Sequence, residues 1–488
     1  MVSGSTMATS RTTPRAPLSL GPASLCALLL LPTAACKDDE PAADAGTDGT
    51  GATDTDTDSA DGTETLPDDA LTWWRDIEPI VRDKCANCHR PGEVAPFPLD
   101  TYEDFVTYGP AAIWAIEQDV MPPWGPDDAC NQYADPLSLE PEHKDQLLAY
   151  LATDMPQGDP EDAPPADPPP PELVPDVMLE MPQSYTPDAS TPDDYRCFLI
   201  PMPEDMTEEQ FMTGFEVYPG ERAIVHHVIA FQIDPGNEGP YVDLDAADPE
   251  AGYTCFGGPG MLDGSARWLG AWVPGVGASI APEGVGQRIL PGSTIVFQVH
   301  YNTVGNAGLS DRSAIGLRLQ PSVDRPAVLM PLADLGWLTG TTSMLIPAGD
   351  ANVTHEATMD RTHPVFLNGV LPGIGAQADD DLIVWTAGLH MHLFGTRGRL
   401  TVRDSGGGNE QCMLDVPEWD FDWQSSYALA QPITWTADQE LHLQCWWDNS
   451  AENQPVVDGI QLDPVDRNWG DGTLDEMCLG ILYVSAAE

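Results

Sequence analysis

The sequence predicts a multidomain chain, a small all-α domain followed by two all-β sandwich (jelly-roll-like) domains. Three observations predict it. At 488 residues the chain exceeds one ordinary core. Apolar positions at helical spacing run from Trp73-Trp74 to about Thr153. Beyond Asp176 the pattern becomes short β-branched and aromatic runs punctuated by Gly, Pro, Asn and Asp, as at 223–233, 293–301, 381–393 and 441–447.

Taken in chain order, Arg11 and Arg15 precede an apolar stretch over 18–31 that ends in Thr33-Ala34-Ala35-Cys36. A basic flank, a short apolar run and small residues predict an export signal over 1–36, too short for a permanent span. The residues before Cys36 resemble a bacterial lipoprotein signal, with Thr33 in place of the more usual Leu. That resemblance implies lipidation of Cys36, a membrane tether through the lipid, and a periplasmic or cell-surface location. An ordinary secretory signal with an incidental Cys36 is the alternative, and both place the mature chain outside the cytosol. Residues 37–69 are Asp, Thr, Gly and Ala with little apolar surface to bury, the composition of a disordered acidic tether. A helical domain over 70–156 follows, with helices expected near Ile77–Ile80, over 111–120 and over 144–151. The stretch 157–175, with Pro164-Pro165 and four prolines at 168–171, reads as a semi-rigid linker. The sandwiches are expected over 176–335 and 336–488, dividing within 326–346.

With 78 acidic against 20 basic residues the formal net charge is −58. Phosphate binding needs clustered cations, so nucleic acid is excluded as a partner. The acidity itself reads as solubility.

Chemistry enters with Cys85-Ala86-Asn87-Cys88-His89, a C-x-x-C-H motif expected on the first helix of the small domain. Two thiols at this spacing form thioethers to haem vinyl groups and the adjoining imidazole becomes an iron ligand. A zinc half-site would need a second close ligand pair, and Cys130 stands alone; a redox dithiol would sit in a βαβ pattern. For the sixth ligand, Val120-Met121-Pro122-Pro123-Trp124 offers a thioether fixed by prolines, with His143 as the alternative. The segment from Cys85 to Met121 resembles class I cytochrome c domains, Pro91-Gly92-Glu93 included.

Three histidine groups lie in the β region. Adjacent strand residues point to opposite faces, so His226 and His227 serve one metal only where a strand is twisted or bulged. In Thr294–Tyr301, alternation puts Gln298 and His300 on one face, so Gln298 is expected to orient an imidazole while His300 binds. His390-Met391-His392 is an i, i+2 pair on one strand face, suited to chelating a single ion. Asp475-Glu476-Met477-Cys478 places a thioether just before a cysteine.

His-His, Gln-Val-His-Tyr, Leu-His-Met-His-Leu-Phe-Gly and Glu-Met-Cys occur here in one order. From about Asp176 onward, almost two thirds of the chain, the sequence resembles the copper type II, ascorbate-dependent monooxygenases, the family of peptidylglycine α-hydroxylating and dopamine β-monooxygenases. The resemblance implies an electron-transfer copper on His226, His227 and His300. It implies a second, O2- and substrate-binding copper on His390, His392 and Met477. Cys445 and Cys478 match a family disulfide, a bond that typically contributes about 2–4 kcal/mol. Cys197 and Cys255 are candidate partners near the first copper, and Cys412 has no evident mate. The implied reaction puts one oxygen atom of O2 into an aliphatic C–H bond of a small organic substrate and reduces the other to water. Ascorbate, another one-electron donor or a redox partner protein would supply electrons, and the fused haem is expected to relay them to the His226/His227/His300 copper. The peptide-hydroxylating members carry an Arg two residues before the His-x-His pair, where this chain has Gly388, and their Asn and Tyr are here Leu479 and Ile481. A peptide carboxylate therefore lacks its bidentate partner. The alternatives are a non-catalytic copper/haem electron-transfer lipoprotein and a pair of binding modules without copper.

Overall fold

The computed structural model describes residues 67 and 69–487, except 68, 92–94, 135, 167–172, 192, 256–257, 262–264, 304–305, 458–459 and 471. Residues 1–36 expected to form an export signal, with Cys36, most of the stretch expected to be an acidic tether, and Gly92-Glu93 lie outside the described residues.

Two β-sandwiches dominate. In the first, a five-stranded sheet is ordered Tyr253–Thr254, Asp193–Pro201, Thr294–Asn302, Val225–Ile233, Ala266–Trp272. It faces strands Val177–Glu180, Ala314–Gln320, Gln210–Tyr218 and Val285–Ile289 across a core that includes Phe198, Phe215, Val228, Phe297, Tyr301 and Leu317. Alternation explains the central strand: Ile295, Phe297, Val299 and Tyr301 fill that core, leaving Val296, Gln298 and His300 on the other face. The second sandwich sets Val353–Met359, Gln439–Trp447, Gly395–Asp404 and Gln411–Val416 against Arg325–Leu332, Leu479–Ala486, Leu382–His390 and Ser426–Trp435. Leu400, Leu414, Leu443, Leu482, Val484 and Trp435 meet between them.

The two sandwiches share a sheet. Arg325–Leu332 pairs antiparallel with Leu479–Ala486 on one side and parallel with Val285–Ile289 on the other, giving nine strands in one hydrogen-bonded sheet. This strand contributes Met330 and Leu332 to the second core, so it joins the second sandwich although it precedes residue 336.

Ahead of the sandwiches, a π-helical turn Trp73–Ile77 runs into the α-helix Glu78–Lys84, followed by α-helices Tyr102–Glu117 and Pro141–Leu151. In the longest helix Phe105, Gly109, Ala112, Ile113 and Ile116 recur at i, i+4, i+7, i+8 and i+11, one apolar stripe against Trp73, Ile77, Leu147 and Tyr150. This helix begins nine residues before the expected 111, because the Thr101 side chain caps it by accepting from the Asp104 N–H. It ends at Glu117, and Asp119 follows at φ 56°, a left-handed stop before Met121.

Among the described residues three disulfides staple the chain: Cys130–Cys412, Cys197–Cys255 and Cys445–Cys478. Cys130 and Cys412, solitary in the sequence, are each other's partners across a separation of 282 residues. Such bonds persist outside the reducing cytosol, which places this protein in an oxidising compartment. No helix among the described residues is long and apolar enough to cross a membrane.

Candidate metal centres

The first cluster forms where a strand bulges. Val225 pairs with Tyr301 and His227 with His300, so His226 is the extra residue of a bulge that turns both neighbouring imidazoles toward His300. Ring centroids lie 4.7 Å from His300 for both His226 and His227, and 5.7 Å from each other. Among the described residues, these are the group of three His, Cys, Asp or Glu side chains whose ligand atoms all fall within 4.8 Å of one another.

Tautomers sharpen the picture. His300 Nε2 lies 2.9 Å from Asp193 Oδ1, and a carboxylate only accepts, so the Nε2–H donates and Nδ1 is left as a lone pair. That lone pair faces His227 Nδ1 at 3.2 Å. The Tyr195 ring stacks on His300 at 4.0 Å and fixes its plane. His226 keeps an exposed edge, yet desolvation by the surrounding protein, then the charge of neighbouring His300, lowers its pKa to about 4, and burial holds His227 well below the usual imidazole value. Both are neutral at pH 7, with lone pairs ready for a metal and no proton to displace.

The second cluster lies at the end of the strand Leu382–His390. Met391 points into the core while His390 and His392 turn to a common side, and His392 lies just past the strand end. His390 Nδ1 is 2.6 Å from Gln424 Oε1; the Gln424 amide nitrogen donates to the Phe421 carbonyl, so its oxygen is the atom facing the histidine. His392 Nδ1 is 3.1 Å from the Asp475 carbonyl. Both partners only accept, so both imidazoles spend their N–H on Nδ1. The two Nε2 atoms then face each other at 3.2 Å with lone pairs opposed. A donor placed between them, such as a metal cation, would satisfy both. A metal bound at about 2.0 Å from each nitrogen would subtend roughly 105°, an ordinary coordination angle. Burial, then the charge of His390, lowers the His392 pKa to about 3, and burial also lowers that of His390.

Met477 is tied to this pair through Glu476. The fully buried Glu476 carboxylate accepts from the N–H groups of His392, Phe394 and Met477 and from Trp447 Nε1. One side chain thus fixes the His392–Phe394 turn and the backbone of Met477 together. Met477 is itself buried, and the Cys445–Cys478 disulfide anchors the next residue across the sandwich. The two clusters feel one another, since charge on His390 or His392 lowers the pKa of His227.

Gln298 needs correction. It shares a strand face with His300, but its amide donates to the Gly258 carbonyl at 2.6 Å and approaches Cys255 Sγ at 3.7 Å. Two residues along a strand is about 7 Å, and the side chain leans to the loop fixed by Cys197–Cys255 instead of to an imidazole. Asp193 has the orienting role. Neither it nor Gln424 carries a sequence signal, because each reaches its histidine across more than 30 positions. Glu476 lies inside the Asp475–Cys478 motif, but with Asp475 before it and Met477 after it nothing in the sequence marks it as the buried acid. His355 and His442 belong to neither centre: His355 bonds the Leu345 carbonyl, and His442 sits between Arg403 and Glu356.

In the helical unit, Cys85 caps the helix Glu78–Lys84 and Cys88-His89 lie in the turn beyond it, so the motif follows the first helix instead of riding on it. Neither Cys85 nor Cys88 is disulfide-bonded. Burial pushes the Cys85 thiol up to about 12. His89 Nδ1 donates to the Phe97 carbonyl at 2.9 Å, which leaves the lone pair on Nε2. Met121 is 39% exposed just past the longest helix, beside exposed Val120 and Trp114. So much exposed apolar surface on a small unit fits a large apolar group covering it. His143 is half-buried on the helix Pro141–Leu151, with its Nδ1 enclosed and unbonded.

No protein-family model and no curated protein matches this chain. Among solved structures, it is similar to the major capsid protein P2 of bacteriophage PM2 at 8% identity and a TM-score of 0.25, over 64% of this chain and 98% of that one. A putative secreted protein from Eubacterium rectale follows at 9% identity and a TM-score of 0.18, over 59% of this chain and 68% of that one. Likeness at these TM-scores carries no argument about function.

Proposed function

We propose that this protein is an exported copper monooxygenase that hydroxylates an aliphatic C–H bond of a small organic substrate with O2, fed with electrons through its own c-type haem. The observation that carries the reading is the pair of opposed Nε2 lone pairs on His390 and His392, beside a second cluster in which the His300 Nδ1 lone pair lies 3.2 Å from His227 Nδ1. Two imidazole clusters, one of them with the backbone of Met477 held to it through Glu476, make a donor set suited to copper: imidazoles accept both oxidation states, and sulfur favours Cu(I).

His226, His227 and His300 would hold the first ion; His390, His392 and Met477 the second. Bound copper would supply one-electron redox chemistry and O2 activation. Asp193 and Tyr195 hold the His300 ring, Gln424 holds His390, and Glu476 keeps His392 and Met477 in place. The helical unit, read as cytochrome c-like, would attach haem through Cys85 and Cys88, with His89 and Met121 as iron ligands and His143 as the alternative. Gly388 leaves the second site without the cation a substrate carboxylate would need, so a neutral or cationic substrate fits better. Ascorbate or another one-electron donor would reduce the enzyme, and lipidation at Cys36 would tether it.

The test is oxygen uptake coupled to a hydroxylated product in an untargeted screen. Met477→Ala is expected to abolish uptake while copper at the first site survives. Uptake without product, or unchanged by Met477→Ala, would return the chain to a non-catalytic copper and haem carrier.

A further inference from the structure

Between the longest helix of the small unit and its next helix, Pro141–Leu151, the chain leaves the small core and crosses to the second sandwich. Asp127 N–H donates to the Asp415 carbonyl at 2.8 Å, and Tyr133 Oη and Asn131 Nδ2 both donate to that of Met413. Ala134 N–H donates to Ala428, Ala430 N–H donates to Gln132, and Cys130–Cys412 closes the contact covalently. Gln411–Val416 is the edge of the four-stranded sheet and Ser426–Trp435 the edge of the nine-stranded one. The segment therefore bridges the two open edges of a single sandwich.

What lies between those edges matters more. The loop joining them, 417–425, carries Trp419, whose Nε1 donates to the His392 carbonyl, and Gln424, which accepts from His390. Three aromatic rings pack where the segment lands: Trp124 lies 5.2 Å from Tyr427 and 5.8 Å from Tyr133, and Tyr133 lies 5.8 Å from Tyr427. At one end, Trp124 is three residues from Met121, at most about 11 Å of chain. At the other, Tyr427 pairs with Ala387, three residues or about 10 Å of strand from His390.

We propose that the docked segment sends electrons from the helical unit into the His390/His392 site, through the Trp124, Tyr133 and Tyr427 cluster, in place of the relay to the His226/His227/His300 site expected from sequence. The proposal rests on the haem and copper reading above. In each transfer one electron leaves ferrous haem iron, which becomes ferric, and enters cupric copper, which becomes cuprous. No bond is made or broken and no proton moves.

The experiment uses the full chain with haem reduced and copper oxidised, mixed without oxygen, and follows haem oxidation by its absorbance. Haem oxidation is expected to persist within a few-fold of wild type in the His226→Ala/His227→Ala protein and to disappear in His390→Ala/His392→Ala. Trp124→Leu, at a partly exposed position, is expected to slow it at least ten-fold with copper content and haem potential unchanged. Tyr427→Phe keeps the ring and its packing and is expected to stay within a few-fold. Loss in the first double variant with retention in the second would overturn the proposal, as would a rate indifferent to both. A chain lacking haem absorbance or copper at the outset overturns the functional reading itself, which metal and haem content report before any mixing.

Discussion

His390 and His392 both give their only N–H to carbonyl oxygens, and what remains is two lone pairs 3.2 Å apart. Their orientation is inherited from Gln424 and the Asp475 carbonyl, so the partners are testable. Gln424→Leu removes the acceptor at His390 and is expected to weaken copper at the second site by roughly 10–100-fold; Asp193→Ala should do the same at the first, each read by chelator competition. Affinity unchanged in both would show that the imidazoles need no such support. Protons compete in the opposite direction from copper. The native His392 pKa lies near 3, below the unfolded value, so between pH 6.5 and 3 the unfolded chain binds a proton that the native apo-protein refuses. Stability contributed by this site is present above pH 6.5 and falls on acidification. The stability difference between wild type and His392→Asn is thus expected to shrink as pH drops, measured by urea unfolding of metal-free protein; a constant difference would contradict it. At this scale the sequence displayed the clustered histidines, because residue type and i, i+2 spacing are local facts. Their acceptors were hidden, since Asp193 and Gln424 arrive through sheet register and loop closure.

The elements repeat that division. The bulge at His226 was foreseeable, because two adjacent strand residues cannot otherwise face one ion. The start of the helix at Tyr102 escapes the sequence pattern, since Gly109-Pro110 reads as a break although Gly109 is buried on the apolar stripe, while the Thr101 cap is a local signal. Gln298 misled for a physical reason: a shared strand face fixes direction and leaves reach open. Cys445–Cys478 joins the two sheets of the second sandwich just behind Met477. Replacing both cysteines by serine is expected to cost about 2–4 kcal/mol in denaturant unfolding and to lower second-site copper affinity ahead of first-site affinity. Equal losses at both sites would argue that the bond serves overall stability alone.

For the whole molecule, the telling feature is the sheet that runs through both sandwiches by way of Arg325–Leu332. Two domains were legible from turn-punctuated strands, but a shared sheet depends on a parallel pairing that no local pattern announces. Calorimetry is expected to show the sandwiches unfolding in one transition. The helical unit should leave as a separate, earlier transition once Cys130→Ser/Cys412→Ser cuts its covalent tie, and two sandwich transitions in wild type would contradict the shared sheet. Elemental analysis of the full chain reads its metal content most directly. The account predicts two copper ions per chain, falling to one in His226→Ala/His227→Ala and to one in His390→Ala/His392→Ala. A chain without copper, or a copper content indifferent to both pairs of substitutions, would contradict it.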